Sequence, residues 1–75
     1  NEVFTPILNG FEGWNYHLLV FDRWGEVIYD TRNRADGWDG TSRGTQAQID
    51  VYVWKVIVER DGDAQDFIGH VTLVR

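Results

Sequence analysis

Ile49-Asp50-Val51-Tyr52-Val53-Trp54-Lys55-Val56-Ile57-Val58-Glu59-Arg60-Asp61-Gly62 reads as one long β-strand running into a tight turn. Successive strand side chains point to opposite sides, which places Tyr52, Trp54, Val56 and Val58 on one face. Val51, Val53, Lys55, Ile57 and Glu59 take the other, where apolar and charged groups mix. The first face is therefore expected to line a core. Asp61-Gly62 is a strong two-residue hairpin signal. It returns the chain into Gln65 to Arg75, where Phe67, Gly69, Val71 and Leu73 alternate with Ile68, His70, Thr72 and Val74. Asp50-Val51-Tyr52 opens the long strand in the position of a tyrosine corner, whose hydroxyl would tie the preceding loop to the strand.

On the N-terminal side, Tyr16 to Asp22 sets Tyr16, Leu18 and Val20 against His17, Leu19 and Phe21. Apolar residues on both faces predict a central strand covered on both sides or nearly so. Glu26 to Thr31 alternates Val27 and Tyr29 with Ile28 and Asp30, and Arg23-Trp24-Gly25 links the two as a hairpin with Gly25 at positive φ. Residues 32–48 are rich in Gly, Asp, Asn, Ser and Thr and read as loop, with a short strand or edge contact expected within so long a stretch. Val3-Phe4-Thr5 reads as an edge strand stopped by Pro6, which has no N–H to donate. No stretch of ten residues holds an apolar helical period. The expected fold is all-β: a small antiparallel β-sandwich, immunoglobulin-like, with a partly closed barrel as the second reading.

The chain has 75 residues, enough for one domain, and contains no cysteine. A thin core of this size gains neither a disulfide nor a thiolate-held metal, so its four Trp, four Phe and three Tyr must supply the buried area. Net charge is −5, Lys55 is the only lysine, and no basic stripe is present, which argues against nucleic-acid binding. No apolar run is long enough for a transmembrane segment. Asn1-Glu2-Val3-Phe4 lacks the regions of a signal peptide, so an export signal is expected upstream in a longer precursor.

Two aromatic-glycine motifs stand out. In Arg23-Trp24-Gly25, the indole is expected to fold back over the sheet edge and seal the core, with exposed recognition as the second reading. Arg23 is placed to stack on an indole. In Trp38-Asp39-Gly40-Thr41, Trp38 is expected to plug the sandwich end, Asp39 to accept backbone N–H groups of the next turn, and Gly40 to permit the bend. Asp36, Asp39, Asp61 and Asp63 all lie in loops, yet Asp36-x-x-Asp39 matches no calcium loop, so neither a metal nor another cofactor is expected. His17 and His70 fall on different strands, and Ser42 has no nucleophile-elbow pattern, leaving no catalytic constellation. No spacing selects a facing carboxylate pair for glycosidase chemistry. Trp14, Trp24, Trp38 and Trp54 raise a sugar-stacking platform as an alternative, from which the core-facing Trp54 drops out.

Taken together, several pieces resemble the gliding motility-associated C-terminal domain, the type B sorting domain of the Bacteroidetes type IX secretion system. They are Val3-Phe4-Thr5-Pro6, Tyr16-His17-Leu18 and Val20-Phe21-Asp22-Arg23-Trp24-Gly25-Glu26-Val27-Ile28, then Gly37-Trp38-Asp39-Gly40-Thr41, Asp50-Val51-Tyr52-Val53-Trp54 and Ile68-Gly69-His70-Val71-Thr72-Leu73-Val74-Arg75. The chain departs from the family at Asp22, usually asparagine, and at Asp50, often glycine. The resemblance implies a single C-terminal sorting domain over residues 1–75 at the end of a larger secreted or surface protein, its cargo lying N-terminal in the same chain. It implies a non-enzymatic role, delivery to the cell surface or medium through the outer-membrane translocon, and a barrel partner of the PorP/SprF kind. The expected contact is the end-of-chain strand Ile68 to Arg75 with its adjacent loops, where a strand edge can pair with a partner. Arg23, Trp24, Gly25, His70 and Arg75 are then the expected partner-binding residues, while Trp38, Asp39, Gly40, Thr41, Tyr52 and Gly69 anchor the fold. A carbohydrate-binding module or a structural immunoglobulin-like spacer of a surface protein is the alternative.

Overall fold

The computed structural model describes residues 3–42 and 44–74. Six strands follow in order: β1 (Asn15–Phe21), β2 (Val27–Thr31), β3 (Thr41–Ser42), β4 (Thr45–Gln46), β5 (Asp50–Arg60) and β6 (Asp63–Leu73). Four of them form an antiparallel sheet in the order β2-β1-β5-β6, and β3 pairs with β4 separately. The architecture is all-β and antiparallel, as the alternation of side chains predicts.

Both hairpins follow from their turn residues. Arg60 pairs with Asp63, so Asp61 and Gly62 alone make the β5–β6 connection, with φ of 52° and 87°. Two residues at positive φ give the turn twist that matches flanking strands, and β6 therefore begins two residues earlier than the sequence pattern indicates. The β1–β2 link is a three-residue loop closed by Asp22 N–H to Glu26 O at 2.9 Å and Gly25 N–H to Asp22 O at 3.0 Å. Gly25 holds φ of 82°, the left-handed position that such loops require.

Tyr16, Leu18, Val20, Tyr52, Val56 and Val58 are buried on the inner face of the sheet. Full burial of each aliphatic side chain is worth about 1.5–3 kcal/mol. The covering layer is built mainly from loops. Leu8, Phe11 and Trp14 pack on the cluster of Tyr16, Leu18, Val56 and Val58, while Trp38 and Ala47 close the cluster containing Val20 and Tyr52. Tyr29 and Trp54 touch both clusters and join them.

Two expectations need correction. Val3-Phe4-Thr5 is not a strand: Phe4 makes a single antiparallel bridge to Trp38, with N–H to O distances of 2.7 and 2.8 Å. Pro6 stops the ladder two residues further on, for lack of an N–H. β1 is central, but only its inner face is buried; His17, Leu19 and Phe21 are half-exposed, and no strand among the described residues lies over them. Their apolar content is screened within the sheet, where Phe21 lies opposite Val53 and His17 opposite Ile57.

Candidate functional site

The β1–β2 turn is rigid at the backbone and open at the side chain. One carboxylate oxygen of Asp22 accepts the N–H groups of Trp24 and Glu26, both at 2.9 Å. That Asx-type arrangement holds the backbone of the loop from within, without packing by the indole. Trp24 is 77 % exposed, which overturns the expectation that it folds over the sheet edge. The nearest core cluster is built from Val20, Trp38 and Tyr52, and Trp24 is not among the side chains packed against it. Arg23 lies with its guanidinium 5.6 Å from the Trp24 ring centre and its Nε 3.1 Å from Asp50. Asp50 in turn accepts the Val51 N–H at 2.8 Å. The cation is thus oriented from the start of β5 and stacked on the indole, an exposed contact worth about 0.5–1 kcal/mol.

The sheet register brings distant residues to this same end. Phe21, Val53 and His70 align across β1, β5 and β6, and Asp50 lies opposite Leu73. Trp24, Val27, Ile49, Val51 and Val74 are all exposed there. These exposed aliphatic side chains make this the apolar end, beside the charged Arg23 and Asp50, whereas the far end mixes Glu59 and Asp61 with Arg32, Arg34 and Arg60. Of the expected partner residues, Arg23, Trp24 and Gly25 occupy the apolar end; His70 is exposed on the outer sheet face in the row of Phe21 and Val53. Arg75 lies outside the described residues. Val74 falls within the expected C-terminal contact strand, whereas Ile49, Val51 and the anchoring Asp50 had no sequence signal as contact residues, because only strand register brings them to this end.

The second motif is buried. Trp38 is 2 % exposed, meets Tyr52 edge-on with ring centres 4.9 Å apart, and donates its indole N–H to Thr41 O at 2.9 Å. Asp39 accepts the Thr41 hydroxyl at 2.7 Å and the Thr41 N–H at 3.1 Å, and these bonds hold its carboxyl below the usual carboxylate range. Gly40 sits at φ of 85°. The Tyr52 hydroxyl donates to Gln48 O at 2.6 Å, the bond of a tyrosine corner. Gly69 lies opposite Trp54, and a β-carbon there would collide with the indole ring.

The remaining candidates are dispersed. Trp38 is buried and Trp14 and Trp54 half-buried, which leaves Trp24 without companions for a sugar-stacking row. No three acidic or histidine side chains among the described residues cluster as metal ligands, and Asp36 and Asp39 lie apart from Asp61 and Asp63. His17 meets Asp30 across β1 and β2 at 2.9 Å. A cleft of about 500 Å³ at the far end of the sheet is lined by Phe11, Trp14, Arg32 and Arg34. The Tyr16 hydroxyl near it is buried without a hydrogen-bond partner among the described residues, and burial pushes its pKa up.

Fold and surface together define a small antiparallel β-domain, a sheet under a layer of loops, that displays an aromatic-cationic turn beside exposed aliphatic side chains, a class suited to protein recognition. The family model of the CHU_C Type IX secretion signal domain matches residues 1–73, and the chain belongs to that family. Membership implies an interaction with the type IX secretion system and export toward the cell surface or medium. No curated protein and no solved structure matches the chain. No helix among the described residues is long and apolar enough to cross a membrane.

Proposed function

We propose that this domain is a non-enzymatic C-terminal sorting signal that carries a larger protein through the type IX translocon. The family match over residues 1–73 carries the reading. The exposed end of the sheet supports it, since a folded signal must offer a surface that a translocon component can grip. Arg23, Trp24, Gly25 and His70, with Arg75 in the sequence beyond β6, form the contact, and a barrel of the PorP/SprF kind is the receptor. Trp38, Asp39, Gly40, Thr41, Tyr52 and Gly69 hold the fold on which that contact is displayed. An exposed indole next to an arginine is the kind of anchor that dominates protein interfaces.

The test is a fusion of residues 1–75 to a reporter that carries its own inner-membrane export signal. The expected outcome is arrival of the reporter at the cell surface in a strain with an intact type IX system, and no arrival in a strain lacking the translocon. A folded fusion that stays in the periplasm of the intact strain would overturn the reading.

A further inference from the structure

The two edges of the main sheet are not equivalent. β2 is five residues long and leans on β3, so its free side is partly covered. β6 is eleven residues long and, among the described residues, its only strand neighbour is β5. Native proteins blunt such edges with charge, proline or a bulge. Here the protection stops halfway. Asp63 and Asp66 mark the first part of β6, whereas Phe67 to Val74 contains no charged residue and no proline. That half has the composition of a segment prone to strand pairing.

A groove of about 670 Å³ runs beside the unprotected half. Val71, Leu73 and Val74 line it from β6, Val3, Phe4 and Thr5 form a second wall, and Trp38, Asp39 and Thr41 also line it, Asp39 being its charged member. The bridge between Phe4 and Trp38 holds the second wall in place, and Gly37 allows the close approach, since a β-carbon there would run into the backbone of Phe4. An unpaired edge flanked by a groove supplies both elements of strand addition: main-chain hydrogen bonds from the edge and seats for alternate side chains.

We propose that the Phe67–Val74 edge of β6 receives an extended, antiparallel strand from a partner chain, uncharged opposite this half and basic at its C-terminal end. The inference rests on the sorting reading and specifies how that signal is held. Charge complementarity selects the occupant. An antiparallel strand brings its C-terminal end past Asp63 and Asp66; Asp63 has no side-chain partner among the described residues, and Asp66 meets only Lys55 at 3.6 Å. Cations there are favoured and carboxylates repelled. A second copy of this domain is disfavoured by its net charge of −5.

The experiment uses a peptide of roughly ten residues, alternating threonine and valine and ending in two lysines, with a control ending in two glutamates. Amide exchange by NMR is expected to show new protection at alternate residues of 67–74, with the lysine peptide binding about ten-fold tighter than the control. Ile68→Lys, at a side chain 65 % exposed, is expected to abolish binding while the domain stays folded. Protection mapped to β2 or to the outer sheet face, equal binding of both peptides, or a self-dimer paired through β6 overturns the proposal. Reporter delivery that persists in a domain that binds neither peptide sinks the edge alone, while peptide binding without delivery sinks the sorting reading and leaves the edge standing.

Discussion

At the residue scale, exposure separates two indoles that look alike in sequence. Trp38 is enclosed by Val20 and Tyr52, whereas Trp24 stands in solvent with its backbone fixed by Asp22. Trp24→Ala should therefore change unfolding free energy by no more than about 0.5 kcal/mol, yet lower delivery of the reporter fusion; urea denaturation and surface labelling read the two effects. Tyr16 presents the reverse case, a polar group buried at a cost. Its hydroxyl has no partner among the described residues, so Tyr16→Phe should raise stability by about 1 kcal/mol in the same urea experiment. Asp39 carries a pH dependence. Its folded pKa is depressed, first by the Thr41 hydroxyl and then by the Thr41 N–H, so its contribution is complete above the unfolded value of about 3.9. It is lost as pH falls through the lower folded value. The group is exposed and the effect correspondingly small; Thr41→Val should flatten the acid limb of the urea midpoint against pH.

At the scale of elements, the β5–β6 pair depends on one missing side chain. Trp54 lies across from Gly69, and its ring occupies the space a larger residue would need. Gly69→Val should cost about 1–3 kcal/mol from overpacking, seen as a lower midpoint in thermal unfolding. Removing the indole in the same molecule, with Trp54→Leu, should recover part of that loss, which a general strand-propensity effect would not do. The two hairpins were legible in the sequence because their turns depend on local chemistry, Asp61-Gly62 in one and Gly25 in the other. The N-terminal segment was not. Phe4 meets Trp38 across thirty-three intervening residues, and nothing local distinguishes one bridge from a ladder.

At the scale of the whole molecule, one sheet and a layer of loops share two clusters bridged by Tyr29 and Trp54. A domain so thin is expected to unfold as a unit. Trp38→Ala removes the main side chain of the loop layer over one cluster and should cost about 3–5 kcal/mol, a large share of the stability of any small domain. Far-UV circular dichroism and tryptophan fluorescence should then lose their transitions together. Separate transitions would show that the loop layer and the sheet are independent.

The alternation of apolar residues, the turn glycines and the placement of Tyr52 were sufficient to define an antiparallel β-fold, its two hairpins and its tyrosine corner. Each of these depends on neighbours in the chain or on a side-chain period of two. The exposure of Trp24, the Arg23–Asp50 contact and the apolar end of the sheet arise from pairings between strands far apart in sequence. So does the difference between the covered edge at β2 and the open edge at β6. Those features belong to register and layer packing, which the local pattern leaves free, and they create the surface through which the domain acts.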